Sequence, residues 1–217
     1  MASTDNPSRE RILGRIRAAV QTTAPHHDGP AGQMFAPVTE PLDRFQKECA
    51  ANITECTVTA DTAASAAAIA NVLASLPPGE IFAQDAPELR AMISATAFKD
   101  GRPLRWSSEG PPNEASQATI TLCEALVAQT GSVLVSSANG GRQATVIAPV
   151  HIVFAKLNQL VPDLEAVFAR VYERGIASKN SYVCLITGSS RTADIEKILI
   201  MGAHGPRRLI VVLQTGR

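Results

Sequence analysis

The chain has 217 residues, 45% of them hydrophobic, with 20 Lys and Arg set against 20 Asp and Glu. That is enough apolar material for one sizeable core, near the upper end for one compact domain. The charge balance argues against a basic nucleic-acid footprint and an acidic solvating tail, and 4% aromatic content argues against a base-stacking platform. The N-terminus carries no apolar leader core, and no run of about 18 apolar residues occurs, so the expected setting is the cytoplasm, without a membrane partner.

In chain order, Ser8 can cap a helix through Arg9–Val20, with Ile12, Ile16 and Val20 forming one apolar stripe. The stretch Thr22–Pro41, rich in Pro and Gly, reads as a linker or loose loop; His26 and His27 inside it have no third ligand spaced to join them. Residues 1–41 are therefore taken as a helical arm with a flexible linker, and residues 42–217 as one domain. Leu42–Asn52 reads as a helix and Thr57–Ala60 as a short strand. Asp61 or Thr62 then caps an Ala-rich helix that Pro77 and Pro78 end. Ile81–Ala83 reads as a strand, Pro87 opens a helix, and Leu104–Trp106 is a further strand.

The second half is denser. Ala118–Leu122, Leu126–Ala128 and Ser132–Ser136 read as strands, the last two joined tightly at Thr130-Gly131. Val146–Ile147 and His151–Ala155 read as buried strand, and a helix begins at Pro162 and runs to Arg174. Tyr182–Thr187 is a strong strand, Gly188-Ser189-Ser190 a turn, Thr192–Met201 a helix and Arg208–Leu213 a closing strand. Alternation of strands and helices with short links predicts a layered α/β sheet with right-handed crossovers.

The four cysteines, Cys49, Cys56, Cys123 and Cys184, show no CxxC spacing and read as free core thiols rather than cluster ligands, so no cofactor is expected in this chain. A strand ending at a helix N-terminus is where open α/β sheets bind ligands, because first-turn amides lack internal partners and the helix dipole is positive there. That points to a phosphate or carboxylate at the Gly188–Thr192 turn, with Ser190 and Arg191 as further donors. The competing reading is plain capping by Ser190 or Thr192. His204, before Gly205-Pro206, could donate to such a ligand or merely hold a loop carbonyl; His151 reads more readily as a structural histidine. Neither a P-loop nor a GxSxG elbow is present.

Several motifs carry a resemblance. In order they are Thr130-Gly131-Ser132-Val133-Leu134, Pro149-Val150-His151-Ile152-Val153, Val161-Pro162-Asp163-Leu164, Ile186-Thr187-Gly188, Ser190 through Glu196, and His204-Gly205-Pro206-Arg207. Over residues 115–213 the chain resembles the lactate-utilisation protein C family (LutC/YkgG, LUD domain). The resemblance implies a three-layer α/β/α sandwich with a mostly parallel sheet, similar to the sugar-phosphate isomerase and CoA-transferase-like (NagB/RpiA-like) group. It also implies a component of a system oxidising L-lactate to pyruvate, with iron–sulfur clusters in partner proteins. A homo-oligomer remains open.

Two positions depart from the family pattern: Ser189 stands where Pro is usual, and Gln129 where Glu is frequent. A glutamine cannot serve as a carboxylate nucleophile or base; Glu124 is nearby in sequence, with nothing to assign it that role. The ligand site expected from these readings gathers Gly188, Ser190, Arg191, Thr192, Asp194 and His204, with Thr130 and Gly131 opposite. The alternative is a stand-alone enzyme or a regulatory binding module acting on a phosphorylated or carboxylated metabolite.

Overall fold

The structure is a computed structural model that describes residues 7–21, 36–95, 101–193, 199–201 and 205–216, in two units, Met1–Ala36 and Pro37–Arg217. In the first unit, helix α1 spans Pro7–Gln21 and has no buried residue. Its stripe of Ile12, Ile16 and Val20 is exposed. His26 and His27 lie outside the described residues.

The second unit opens with α2 (Pro41–Ala51), β1 (Thr54–Thr59), α3 (Thr62–Ala74), β2 (Glu80–Ala83), α4 (Pro87–Ala95), β3 (Leu104–Trp106) and β4 (Ser116–Thr121). It continues with β5 (Ala125–Val127), β6 (Ser132–Ser136), β7 (Val150–Lys156), β8 (Leu160–Val161), α5 (Leu164–Glu173) and α6 (Ile176–Lys179). The last strands are β9 (Val183–Thr187), β10 (Arg191–Ala193), β11 (Leu199–Met201) and β12 (Arg208–Gln214). Two aspartates start helices: the Ala64 amide donates to Asp61 at 2.8 Å for α3, and the Ala166 amide to Asp163 at 2.8 Å for α5. Each satisfies one of the amides a helix N-terminus leaves open. Helix α5 therefore begins after Asp163, two residues later than Pro162 suggested.

A six-stranded sheet of order β1-β12-β7-β4-β2-β3 forms the centre, every pair parallel. Its inner strands have both faces covered, so they read as near-continuous apolar runs. In β12, Ile210 and Val212 pack with Ile69 of α3 and with Leu89 and Met92 of α4, while Leu209, Val211 and Leu213 pack on the opposite face with Phe45 of α2. Helices thus lie on both sides of a mostly parallel sheet, as expected of an α/β protein.

One side carries an additional layer. A second, four-stranded sheet of order β8-β5-β6-β9 lies there, antiparallel except for β5 with β8. Leu126, Val133 and Val135 of this sheet join the core shared with β7 and β12. The alternate residues Ala125, Val127 and Leu134 pack with Val167 of α5 and Ile176 of α6.

The structure corrects three local expectations. The described residues of Thr192–Met201 are strand and not helix: β10 and β11 pair antiparallel, with Arg191 opposite Met201 and Ala193 opposite Leu199; residues 194–198 lie outside the described residues. Ile198-Leu199-Ile200-Met201 is a continuous apolar run rich in β-branched residues, which suits a strand better than an amphipathic helix. The strand Tyr182–Thr187 is not in the parallel sheet; as β9 (Val183–Thr187) it pairs, among the described residues, only with β6, antiparallel. Val146–Ile147 is not strand either: a 3₁₀ turn over Arg142–Thr145 leads into bends, and Val146 is exposed.

Candidate functional site

The polar floor comes from the register of β4 against β7. On the sheet face that contributes Val153 and Ala155 to the core, β7 also presents His151, and β4 presents Thr119 and Thr121. His151 and Thr121 are fully buried and share a hydrogen bond of 2.9 Å through His151 Nε2. His151 Nδ1 and Thr119 Oγ1 are buried without a protein partner. Leaving a buried polar atom unmet costs about 1–3 kcal/mol. Burial pushes the His151 imidazole down to about 4, which keeps it neutral near neutral pH. The expectation of a satisfied structural histidine is thus met at one ring nitrogen and not at the other.

Above His151 opens a pocket of about 450 Å³. Its walls come from Thr145 and Val146, from β9 with Tyr182, and from the turns at Gly188–Arg191 and Gly205–Pro206. Among the described residues, strand β9 is at the edge of its sheet, and its outer side frames the cleft. The Tyr182 hydroxyl lies 3.5 Å from Thr145 Oγ1, and the Arg142 guanidinium lies 5.7 Å from the Tyr182 ring centre. Burial, then the hydrogen bond with the Cys184 thiol, pushes the Tyr182 phenol up. Arg191 is exposed, and it is the only ionised side chain among the described lining residues, none of which is a carboxylate.

The expected site is partly gathered here. Gly188, Ser190 and Arg191 line the pocket. The basis expected for the anion site changes, because no helix begins at Thr192 and the Ser190 amide already donates to the Pro206 carbonyl at 2.8 Å. Thr192 is placed in β10 opposite Ile200. Asp194 and His204 lie outside the described residues. Thr130 and Gly131 are not among the lining residues; they pack on the end of α2. Asn52 Nδ2 donates to the Thr130 carbonyl at 3.1 Å, and a Cβ on Gly131 (φ 64°) would stand 2.8 Å from the Glu48 carbonyl carbon. Gly188 (φ 78°) meets the same helix end, where a Cβ would stand 2.3 Å from the Asn52 carbonyl oxygen. A chain of hydroxyls, Thr130–Ser132–Thr187 at 2.7 Å each, links Thr130 to the pocket wall at Thr187.

The two departures from the family pattern have local structural partners. Ser189 is buried, and its hydroxyl donates to the Ile53 carbonyl at 3.0 Å. Gln129 Oε1 accepts from the Leu164 amide at 3.3 Å, at the start of α5. Glu124 accepts from the Ser136 hydroxyl at 2.6 Å. Cys49 and Cys123 are buried, Cys56 and Cys184 half-buried, and all four are free thiols. Among the described residues, no group of three or more His, Cys, Asp or Glu could hold a metal ion, and no helix is long and apolar enough to cross a membrane.

Comparison with known proteins places this geometry in a family. A lactate utilization protein C from Deinococcus radiodurans is 30% identical over 165 residues, covering 68% of this chain and 73% of that protein. Another from Halalkalibacterium halodurans is 29% identical over 107 residues, covering 48% of this chain. That match spans 46% of the Halalkalibacterium protein, so the chain covers about half the length of some curated relatives. The crystal structure of a DUF162 family protein from Deinococcus radiodurans superposes with a TM-score of 0.61 at 20% identity, over 82% of this chain and 99% of that one, a likeness of fold. The LUD domain model matches residues 42–214, and the chain belongs to the LUD domain family.

Proposed function

We propose that this protein is a component of an L-lactate utilisation system. In this reading it works beside iron–sulfur partner proteins that carry electrons from lactate, and it binds a small anionic metabolite in the pocket between β9 and the central sheet. The family and its relatives named lactate utilization protein C support the first part. One observation carries the second: the described lining has a single ionised group, the Arg191 guanidinium, with no carboxylate to oppose it. Guanidinium pairs with carboxylate or phosphate through two parallel hydrogen bonds, so an anion is the complementary charge. The anion no longer depends on a helix terminus.

Two measurements test this reading. Affinity purification from cells grown on lactate is expected to bring down iron–sulfur proteins; their absence would remove the assembly. Thermal shift with lactate, pyruvate, phosphate and CoA is expected to identify a stabilising anion whose effect vanishes in Arg191→Ala. Stabilisation retained in that variant would remove Arg191 as the anchor.

A stand-alone enzyme acting on a carboxylated or phosphorylated metabolite is the second reading. It is favoured by His151, a neutral imidazole beneath the pocket with one ring nitrogen unmet by protein, in the residue type most used for proton transfer. Turnover of a stabilising ligand by the isolated chain, lost in His151→Gln, would select it.

A further inference from the structure

We infer that the pocket takes an amphipathic monoanion, an acyl or aromatic carboxylate bulkier than lactate, bound by its carboxylate at Arg191 with its apolar body directed inward. This rests on the reading of the pocket as the ligand site and specifies its substrate class. The first argument is size. About 450 Å³ corresponds to roughly fifteen liquid-water volumes, and pockets of this order hold whole metabolites or cofactors rather than a lactate-sized acid.

The second argument is the distribution of polarity. Among the described lining residues, charge is confined to Arg191. Val146, Tyr182, Ile186, Pro206 and Leu209 supply apolar wall, and no second cation among the described lining residues would meet a dianion. A lactate held at Arg191 would leave most of that apolar wall in contact with water. A longer body removes the wall from water, which is the main source of binding energy for apolar groups.

The test is isothermal titration calorimetry on the full chain with acetate, butanoate, hexanoate and octanoate, beside lactate, phosphate and octanamide. Affinity is expected to rise about fourfold for each methylene buried until the pocket is full. Octanamide is expected to bind at least about tenfold more weakly than octanoate, since a charge-assisted pair is replaced by a neutral one. The variant V146W, at an exposed position on the wall, is expected to abolish the rise with chain length. The variant R191Q, exposed and outside the core, is expected to weaken every carboxylate about equally. It keeps the test decisive if V146W does not fold.

Each contrary result has a distinct meaning. Lactate and phosphate binding as tightly as octanoate would overturn the inference and leave the anion site standing. A chain-length rise that persists in a folded V146W, or octanamide matching octanoate, would also overturn it. No binding by any carboxylate or by phosphate would remove the pocket as the ligand site altogether.

Discussion

Strands β9 and β12 are alike in composition, VCLIT against RLIVVLQ, and opposite in circumstance. Strand β12 pairs with β1 and β7, and its residues from Leu209 to Gln214 are buried. Among the described residues strand β9 pairs only with β6, and all five of its residues are half-buried or exposed. The inner strand has no free side on which a ligand could rest. The edge strand does, and the pocket is found there. A run of apolar residues thus specifies extended backbone and burial of at least one face, while the number of neighbours decides whether the strand is core or wall.

The largest expected effect tests whether β12 is core and β9 is wall. Ile210→Ala is expected to cost about 2–5 kcal/mol, because it leaves a cavity in a fully packed layer. Ile186→Ala in β9 is expected to cost about 1 kcal/mol or less. Urea unfolding of both variants reads the difference, and equal losses would break the distinction.

The second prediction concerns the histidine that the central sheet lends to the pocket. His151 is held at about 4 in the folded protein, against about 6.5 in an unfolded chain. Above pH 6.5 both states are neutral and the group has no effect. Below it the unfolded chain takes up a proton that the folded one refuses, so stability falls until about pH 4, by roughly 3 kcal/mol in all. His151→Gln is expected to flatten that part of the profile, measured by chemical denaturation between pH 7.5 and 4.5. An unchanged slope would mean that His151 is protonated in place.

A smaller effect belongs to the corner where the site turn meets α2. Gly188→Ala is expected to cost about 2 kcal/mol, from the left-handed backbone and the contact with the Asn52 carbonyl. It is also expected to weaken ligand binding by moving Arg191, read by titration of the stabilising anion. The smallest effect on stability comes from Arg191→Ala, within about 0.5 kcal/mol at this exposed position, together with loss of anion binding. A large change in melting temperature would show that Arg191 supports the fold.

Much of the fold was legible because its signals are local. The near-continuous apolar runs of β6, β7 and β12, the Asp61 and Asp163 caps, and the paired prolines after α3 all act within a few residues of where they lie. The hairpin of β10 and β11 was missed because Ser190, Thr192 and Asp194 mimic a helix start, while the apolar run that outweighs them finds its partner several residues away. At the site, the glycines and Arg191 stood out in the turn. Thr121 did not, because it meets His151 only through strand register across 30 positions. Thr130 and Gly131 belong to the same motif series, yet their contacts run to the end of α2.

By itself the sequence determined most of the extended and helical segments, and that a mostly parallel α/β sheet would form, since apolar patterning and capping are properties of neighbouring residues. Only the tertiary structure decided that Tyr182–Thr187 lies at the edge of a second sheet, and that a neutral histidine from the central sheet lies beneath it. Both depend on which strand pairs with which, and strand pairing is settled by contacts between segments far apart in the chain.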